Sequence, residues 1–383
     1  MQKKLIALAA ASLGLSGAVF AQTNVTIYGI ADATFESVSA NGATIAGASR
    51  SNFTRVNSNS SYVGFKGTED LGDGLKAIFQ FETGFSVDAG VYTPAGRDTF
   101  VGLNGNFGTI KMGNLTGPSR AILTTLDLQP GLAGIGTSDS LLGRGVNAAG
   151  GTATIFNSRI ANTVSYLSPK FSNFTVTANY AAGENKSLDN ATAITQANGK
   201  IYELGVTYAD GPWYVGYAHG KDDFGTNSLA GANTLLEWKS DRLGAGYTFD
   251  AGHKINAILD RQKQDVSKGV AGLGAAKDLQ KTSWSLQGLY KVSAPGSLLL
   301  AYTKSNEASG NFLATNNNTS AKEFTVGYLH ALSKRTVLKA VYSRITNDNN
   351  VAYDFAANGA AVAGGFGVGA NPQGLALGVR HAF

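Results

Sequence analysis

Between Tyr62 and Phe85 apolar and polar residues alternate with a period of two, and the same pattern recurs along most of the chain with almost no helical period between. Residues two apart on a strand share a face, so Val63, Phe65, Ala77, Phe79 and Phe81 form one surface and Tyr62, Lys66, Lys76, Gln80 and Glu82 the other. The run from Glu69 to Gly74 is dense in turn formers, which makes the stretch a hairpin. A strand over Val25 to Val38 behaves alike, with Ile27, Gly29, Ala31, Ala33 and Phe35 opposite Thr26, Tyr28, Asp32, Thr34 and Glu36. The connections carry as much information as the strands. Long ones alternate with short turns, eight against seven, which implies about sixteen antiparallel strands in up-and-down order. A β-helix or propeller would show a fixed repeat length instead.

Ser39 to Ser60, Ser86 to Gly96, Leu115 to Ile160, Ala182 to Gly199 and Ile345 to Pro372 read as long loops. Strands are predicted over Arg97–Asn104, Thr109–Asn114, Trp213–His219, Asn233–Phe249, Lys254–Arg261, Lys281–Tyr290, Ser297–Thr303, Lys322–Leu329, Thr336–Arg344 and Gln373–Phe383, among others. The Arg97 strand alternates poorly, because Val101 and Leu103 share parity with Arg97. The loop from Leu115 to Ile160 is too long to be structureless in a compact domain. Its Ile122, Leu123, Leu126, Leu128 and Leu132 predict a segment, with a short helix, that folds against something.

The first residues read as an address. Lys3 and Lys4 precede an apolar stretch to Phe20, and Val19-Phe20-Ala21 suits a signal peptidase, so residues 1–21 are expected to leave and Gln22 to start the mature chain. Loss of Lys3 and Lys4 lowers the formal net charge of +5 by two, too weak a bias for nucleic acid. The chain has no cysteine, hence no thiol nucleophile and no cysteine-based metal site. Its histidines, His219, His253, His330 and His381, are scattered, and no nucleophile motif accompanies them. No linker divides residues 22–383. An exported chain of alternating strands, with no later apolar run long enough for a spanning helix, leaves a secreted β protein or a transmembrane β-barrel. Tyr166, Phe174, Tyr208, Trp213, Tyr247, Phe249, Trp284 and Tyr290 end apolar faces, many beside short turns, where an interfacial aromatic girdle belongs.

Several stretches resemble the Gram-negative general porins of the β-proteobacterial type. They are Val25-Thr26-Ile27-Tyr28-Gly29 with Asp32, Gly64 to Gly72, Gly74 to Gln80 through Phe85, Arg97 with Phe100 to Leu103, Phe107-Gly108-Thr109, Arg159 with Asn162, Tyr166 and Ser168-Pro169, and Gly378 to Phe383. The resemblance implies a sixteen-stranded antiparallel barrel in the outer membrane, surrounded by lipid and lipopolysaccharide, commonly a homotrimer, with the third long loop folded inward. It also implies that Phe383 is read by the barrel-assembly machinery, that small ions and hydrophilic solutes pass, and that neither cofactor nor catalysis is involved.

A water-filled pore works by size and by charge at its narrowing. The candidate constriction residues are Arg97, Glu82, Arg159, Asp127, Tyr62, Lys66, Lys76 and Lys111, with Asp139 as a second loop acid and Arg380 as a further base. The resemblance makes Arg97 and Arg159 members of an arginine cluster and Glu82 an acid close to it. Two positions depart from the family pattern: Tyr62 and Ser165 stand where arginines are expected. A thinned cluster predicts weak anion preference or near neutrality. A solute-specific outer-membrane channel is the competing expectation.

Overall fold

The computed structural model describes residues 25–145, 153–183, 199–229, 232–266, 277–311, 317–355 and 361–383. The expected signal peptide, with its cleavage point at Ala21 and Gln22, lies outside the described residues, as does most of the expected polar loop from Ala182 to Gly199. The strand segments are β1 (Thr26–Asn41), β2 (Arg50–Ser58), β3 (Tyr62–Gly72), β4 (Leu75–Ser86), β5 (Val91–Gly105) and β6 (Gly108–Thr116). A helix, α1 (Pro118–Leu126), follows. Then come β7 (Arg159–Leu167), β8 (Phe174–Ala181), β9 (Lys200–Asp210), β10 (Trp213–Leu229), β11 (Ala232–Thr248) and β12 (Lys254–Val266). The chain ends with β13 (Lys277–Lys291), β14 (Gly296–Ser305), β15 (Ser309–Gly310), β16 (Ala321–Ala331), β17 (Thr336–Asn347) and β18 (Asn371–Ala382).

Every pairing is antiparallel, and β18 returns to β1 from Ile30↔Ala382 to Asn41↔Asn371, so the sheet closes. Segments β2 and β3 both pair with β1, and β14 and β15 both pair with β13; each couple is one interrupted stave. The result is the sixteen-stranded up-and-down barrel that the alternation implied. The carboxyl end seals the seam: Phe383 N–H donates to Gly29 O at 3.0 Å and Gly29 N–H to Phe383 O at 3.2 Å. Gly29 is required there, because a Cβ would stand 2.5 Å from Cζ of the Phe383 ring.

The faces are inverted relative to a water-soluble protein. Ile27, Phe35, Phe65, Phe81, Val101 and Met112 are exposed outward, Ile27 to 63%. Asp32, Glu36, Ser240, Arg242, Asp260 and Ser343 are fully buried on the inner side. A sandwich would bury the first set and wet the second. An apolar outer band with a polar interior is what a strand barrel in a bilayer requires.

Three expected loops are shorter in the structure. Residues 50–58 continue the second stave, and residues 91–96 belong to β5. The strands expected to stop at His219 and to start at Asn233 run on to Leu229 and from Ala232. These extensions carry polar residues on both faces, such as Lys221 and Asp222, so no apolar alternation marks them. The backbone ladder, with the ion pairs of Lys221 and Lys239 to Glu237, sustains them beyond the apolar band.

Residues 117–145 and 153–158 pack against side chains of the strand wall. Pro118 opens α1, where its missing N–H costs nothing. Ile122, Leu123 and Leu126 pack with Ala218 of β10 and Ile258 of β12. The close approach depends on Gly216 and Gly244, which oppose each other on the inner face; a Cβ on either would lie 2.8 Å from Ile122. Farther on, Ile135 and Leu141 pack with Val38, Ile345 and Ala376, and with Val351, Tyr353 and Phe355 of the loop before β18. The loop core therefore has two apolar centres on different parts of the wall.

Candidate functional site

The opening hairpin and its neighbours build one side of the site. The Arg97 guanidinium lies over the Tyr62 ring, 3.9 Å from its centroid, and Nε donates to Glu82 Oε2 at 3.1 Å. Glu82 Oε1 accepts from Tyr28 Oη at 2.9 Å and from Gln80 Nε2 at 3.1 Å. The Tyr28 and Tyr62 rings meet edge to face at 6.2 Å. Lys66 sits over Tyr28 at 4.8 Å and Lys111 over Phe100 at 5.0 Å. Lys76 is exposed near the short turn, opposite Asn104.

The parity conflict at Arg97 has a local cause. The β4–β5 register shifts between Phe81 and Thr83, so Thr83 pairs with Gly96 while Phe81 pairs with Thr99. This irregularity turns Arg97 inward although Val101 and Leu103 face out. Such bulges re-aim side chains at functional positions.

Arg159, at the far end of the long segment, donates Nε to Asp98 Oδ2 at 2.8 Å. Asp98 also accepts from Thr116 N–H at 2.7 Å and Thr116 Oγ1 at 3.0 Å, so one carboxylate holds both ends of the segment. Across the seam, Asp32 receives Lys339 at 2.6 Å and Arg380 at 3.2 Å. The charges of Arg97, Arg159 and Arg380 all act on Tyr62. Asp98, Tyr28 and Lys339 were not singled out as site residues from the sequence. Asp98 stands beside Arg97, and Lys339 shares a seam with Asp32 that only the closed barrel creates.

Asp127, the candidate acid of the long loop, is buried. It is turned into the segment, where Oδ2 accepts from Ser138 N–H at 2.8 Å and Ser138 Oγ at 2.5 Å, and Oδ1 from Gln129 N–H at 2.8 Å. Burial pushes its carboxyl up to about 6 against the pull of these donors, and Asp139 adds to the rise. Asp139 is likewise engaged by Arg144 and Asn157. A side chain this short, in a segment that folds on its own apolar residues, satisfies its nearest orphan N–H groups first.

The segment is anchored to the wall by buried polar side chains of other strands. Arg242 donates to Asp260 Oδ1 at 2.9 Å, to Ser119 O at 2.8 Å and to Asn157 Oδ1 at 3.2 Å. Gly143 N–H donates to Asp260 Oδ2 at 2.9 Å. Asn256 binds Leu126 O at 2.6 Å, Gln287 accepts from Leu128 N–H at 2.8 Å, and Lys281 reaches Leu141 O at 3.2 Å.

The charge balance of the basic wall follows. Glu82 and Asp98 are each paired with an arginine, and Asp32 is shared by two cations. Lys66 and Lys111 face aromatic rings instead of acids. The partly exposed inner surface there carries excess positive charge.

Comparisons with known proteins agree with this architecture. Residues 5–350 match the family model described as Gram-negative porin. Outer membrane porin protein 32 of Delftia acidovorans is 31% identical over 385 residues, covering all of both chains. Major outer membrane protein P.IB of Neisseria meningitidis serogroup B is 31% identical, covering 88% of this chain and 91% of that one. The solved anion-selective porin from Comamonas acidovorans superposes with a TM-score of 0.74 at 27% identity, over 94% of this chain and 100% of its own. With sixteen closed staves, an apolar outer band and a charged inner wall, the chain belongs to the Gram-negative porins of the bacterial outer membrane.

Proposed function

We propose that this general diffusion porin passes small ions and hydrophilic solutes with a weak preference for anions, and that residues 117–145 and 153–158 form its constriction opposite Arg97, Arg159 and Arg380. The observation that carries the reading is the cationic excess left after Glu82, Asp98 and Asp32 are paired. Charged groups at a narrow, partly desolvated passage act more strongly than on an open surface. Acids of the loop do not offset the excess, since Asp127 and Asp139 are matched in number by Arg120 and Arg144 of the same segment. Tyr62, lying beneath Arg97 where the family pattern has another arginine, lowers the charge and keeps the preference weak. Lys66 and Lys111 contribute to the field, and Lys76 to the mouth beside the short turns.

The same reading takes residues 1–21 as the removable leader, the assembled form as a homotrimer in outer-membrane lipid and lipopolysaccharide, and Phe383 as the residue presented to the barrel-assembly machinery. Single-channel recording of the refolded protein across a salt gradient tests it. Conductance should step in threes, with a reversal potential slightly toward anions. Arg97→Glu should move that potential toward cations, and a wild-type channel that already prefers cations overturns the assignment.

A further inference from the structure

Two lysines of the inner wall, Lys66 and Lys111, are seated on aromatic rings, and a glycine makes room for each seat. Tyr28 on β1, Gly64 on β3 and Glu82 on β4 stand in one row of the wall. With no side chain at Gly64 the Tyr28 ring lies across it; a Cβ there would be 2.6 Å from Cζ of the ring. The phenol thereby crosses a whole strand to donate to Glu82 Oε1 at 2.9 Å. Lys66, the next inward residue of β3, pairs with Gln80, so Glu82 is its diagonal neighbour at about 7–8 Å. A lysine side chain spans that gap, yet the ammonium lies over the Tyr28 ring, 4.8 Å from its centroid. Glu82 is filled from other sides: Gln80 Nε2 joins the Tyr28 hydroxyl on Oε1, and Arg97 Nε takes Oε2.

The second seat repeats the first. Lys111 on β6 pairs with Gly102 on β5. Its stem runs over that glycine, where a Cβ would lie 3.1 Å from Lys111 Cγ. Its ammonium rests 5.0 Å from the centroid of Phe100, the next inward residue of β5. Asp98, the acid whose charge reaches Lys111, is occupied by Arg159 and by Thr116 N–H and Oγ1. A ring attracts a cation through its quadrupole and cancels none of its charge, whereas a carboxylate cancels it. At an exposed position such a seat shifts occupancy about two- to fivefold.

We propose that Tyr28 and Phe100 are positioning residues of the anion path: each seats one lysine on its ring, away from the nearest acid, and so keeps that charge uncancelled in the lumen. Two uncharged side chains thereby help to set the ion preference. The proposal rests on the anion-preferring reading above and names residues that maintain it. Without the Tyr28 side chain, Glu82 Oε1 loses its hydroxyl donor and Lys66 closes the diagonal gap to it. Without the Phe100 ring, Lys111 is released toward Asp98.

The test records the refolded porin in a planar bilayer across a potassium chloride gradient and reads the chloride-to-potassium permeability ratio from the reversal potential. Y28L and F100L should each lower that ratio, in the direction of K66Q and K111Q respectively. F100Y, which keeps a ring, should hold the wild-type value. The double variants Y28L/K66Q and F100L/K111Q should match K66Q and K111Q alone, because no cation is left to seat. A role confined to packing would lower stability in urea and leave the ratio where it was. Y28L and F100L channels with the wild-type ratio overturn the proposal. Double variants that fall well below the lysine variants overturn it too, since the rings would then act without the lysines. The two seats are separate tests, so if one leucine variant fails to fold the other decides. A wild-type channel that prefers cations overturns the anion reading alone, because the shift from wild type to variant is still read in the same direction.

Discussion

Replacement of Arg242 by methionine probes the strut that holds the segment between β6 and β7 to the wall. Arg242 and Asp260 are both fully buried, with a 2.8 Å ion pair, and the same guanidinium binds Ser119 O and Asn157 Oδ1. Removing one partner of a buried pair costs about 3–5 kcal/mol, because the other charge stays behind unpaired. Asp260 keeps donors from Gly143 N–H at 2.9 Å and Gln262 at 3.0 Å, which places the loss near the lower end of that range, about 3 kcal/mol. The apolar contacts of Ile122, Leu123 and Leu126 remain, each contributing about 1.5–3 kcal/mol, so the segment should loosen without leaving the wall. Two assays read this. Urea unfolding of the refolded protein should show the destabilisation, and single-channel traces should show more open-state noise. The R242M/D260L double variant should regain most of the stability, because an apolar pair no longer buries an unmatched charge. A single R242M variant within about 0.5 kcal/mol of the wild type, with quiet traces, would refute the strut.

Four further outcomes are expected. Gly244→Val should keep the barrel but displace α1, costing about 1–3 kcal/mol in urea unfolding and raising conductance, since a Cβ there comes within 2.8 Å of Ile122. Burial holds Asp127 and Asp354 up to about 6, so the folded protein binds their protons more tightly than the unfolded chain. Their contribution to stability is therefore greatest in acid and declines as pH rises from about 4 through 6; urea midpoints and open-channel noise across pH 4 to 7.5 should follow that order, and a constant noise level would contradict it. Asp98→Asn should free both ends of the segment between β6 and β7 and increase gating events, because Thr116 and Arg159 lose their shared carboxylate. Phe383→Ala should lower the yield of heat-modifiable folded barrel in the outer membrane, with the seam to Gly29 weakened at its last pair.

The sequence by itself determined the sheet. Period-two alternation fixes which side chains face out, and the rhythm of turns and loops fixes the number of staves, because both are local properties of strand geometry. It also pointed to Arg97, Tyr62 and Glu82, which three-dimensional contact unites through β3, β4 and β5. Only the tertiary structure decided where the strands end beyond the apolar band, as at Leu229, since ladder hydrogen bonds need no apolar signal. It alone placed Asp127 in the interior of its own segment and assigned the anchoring to Arg242, Asp260 and Lys281. Those residues lie more than a hundred positions from the loop atoms they bind: Arg242 from Ser119, Asp260 from Gly143 and Lys281 from Leu141. Barrel closure brings such groups together across the lumen, and no spacing along the chain encodes that meeting.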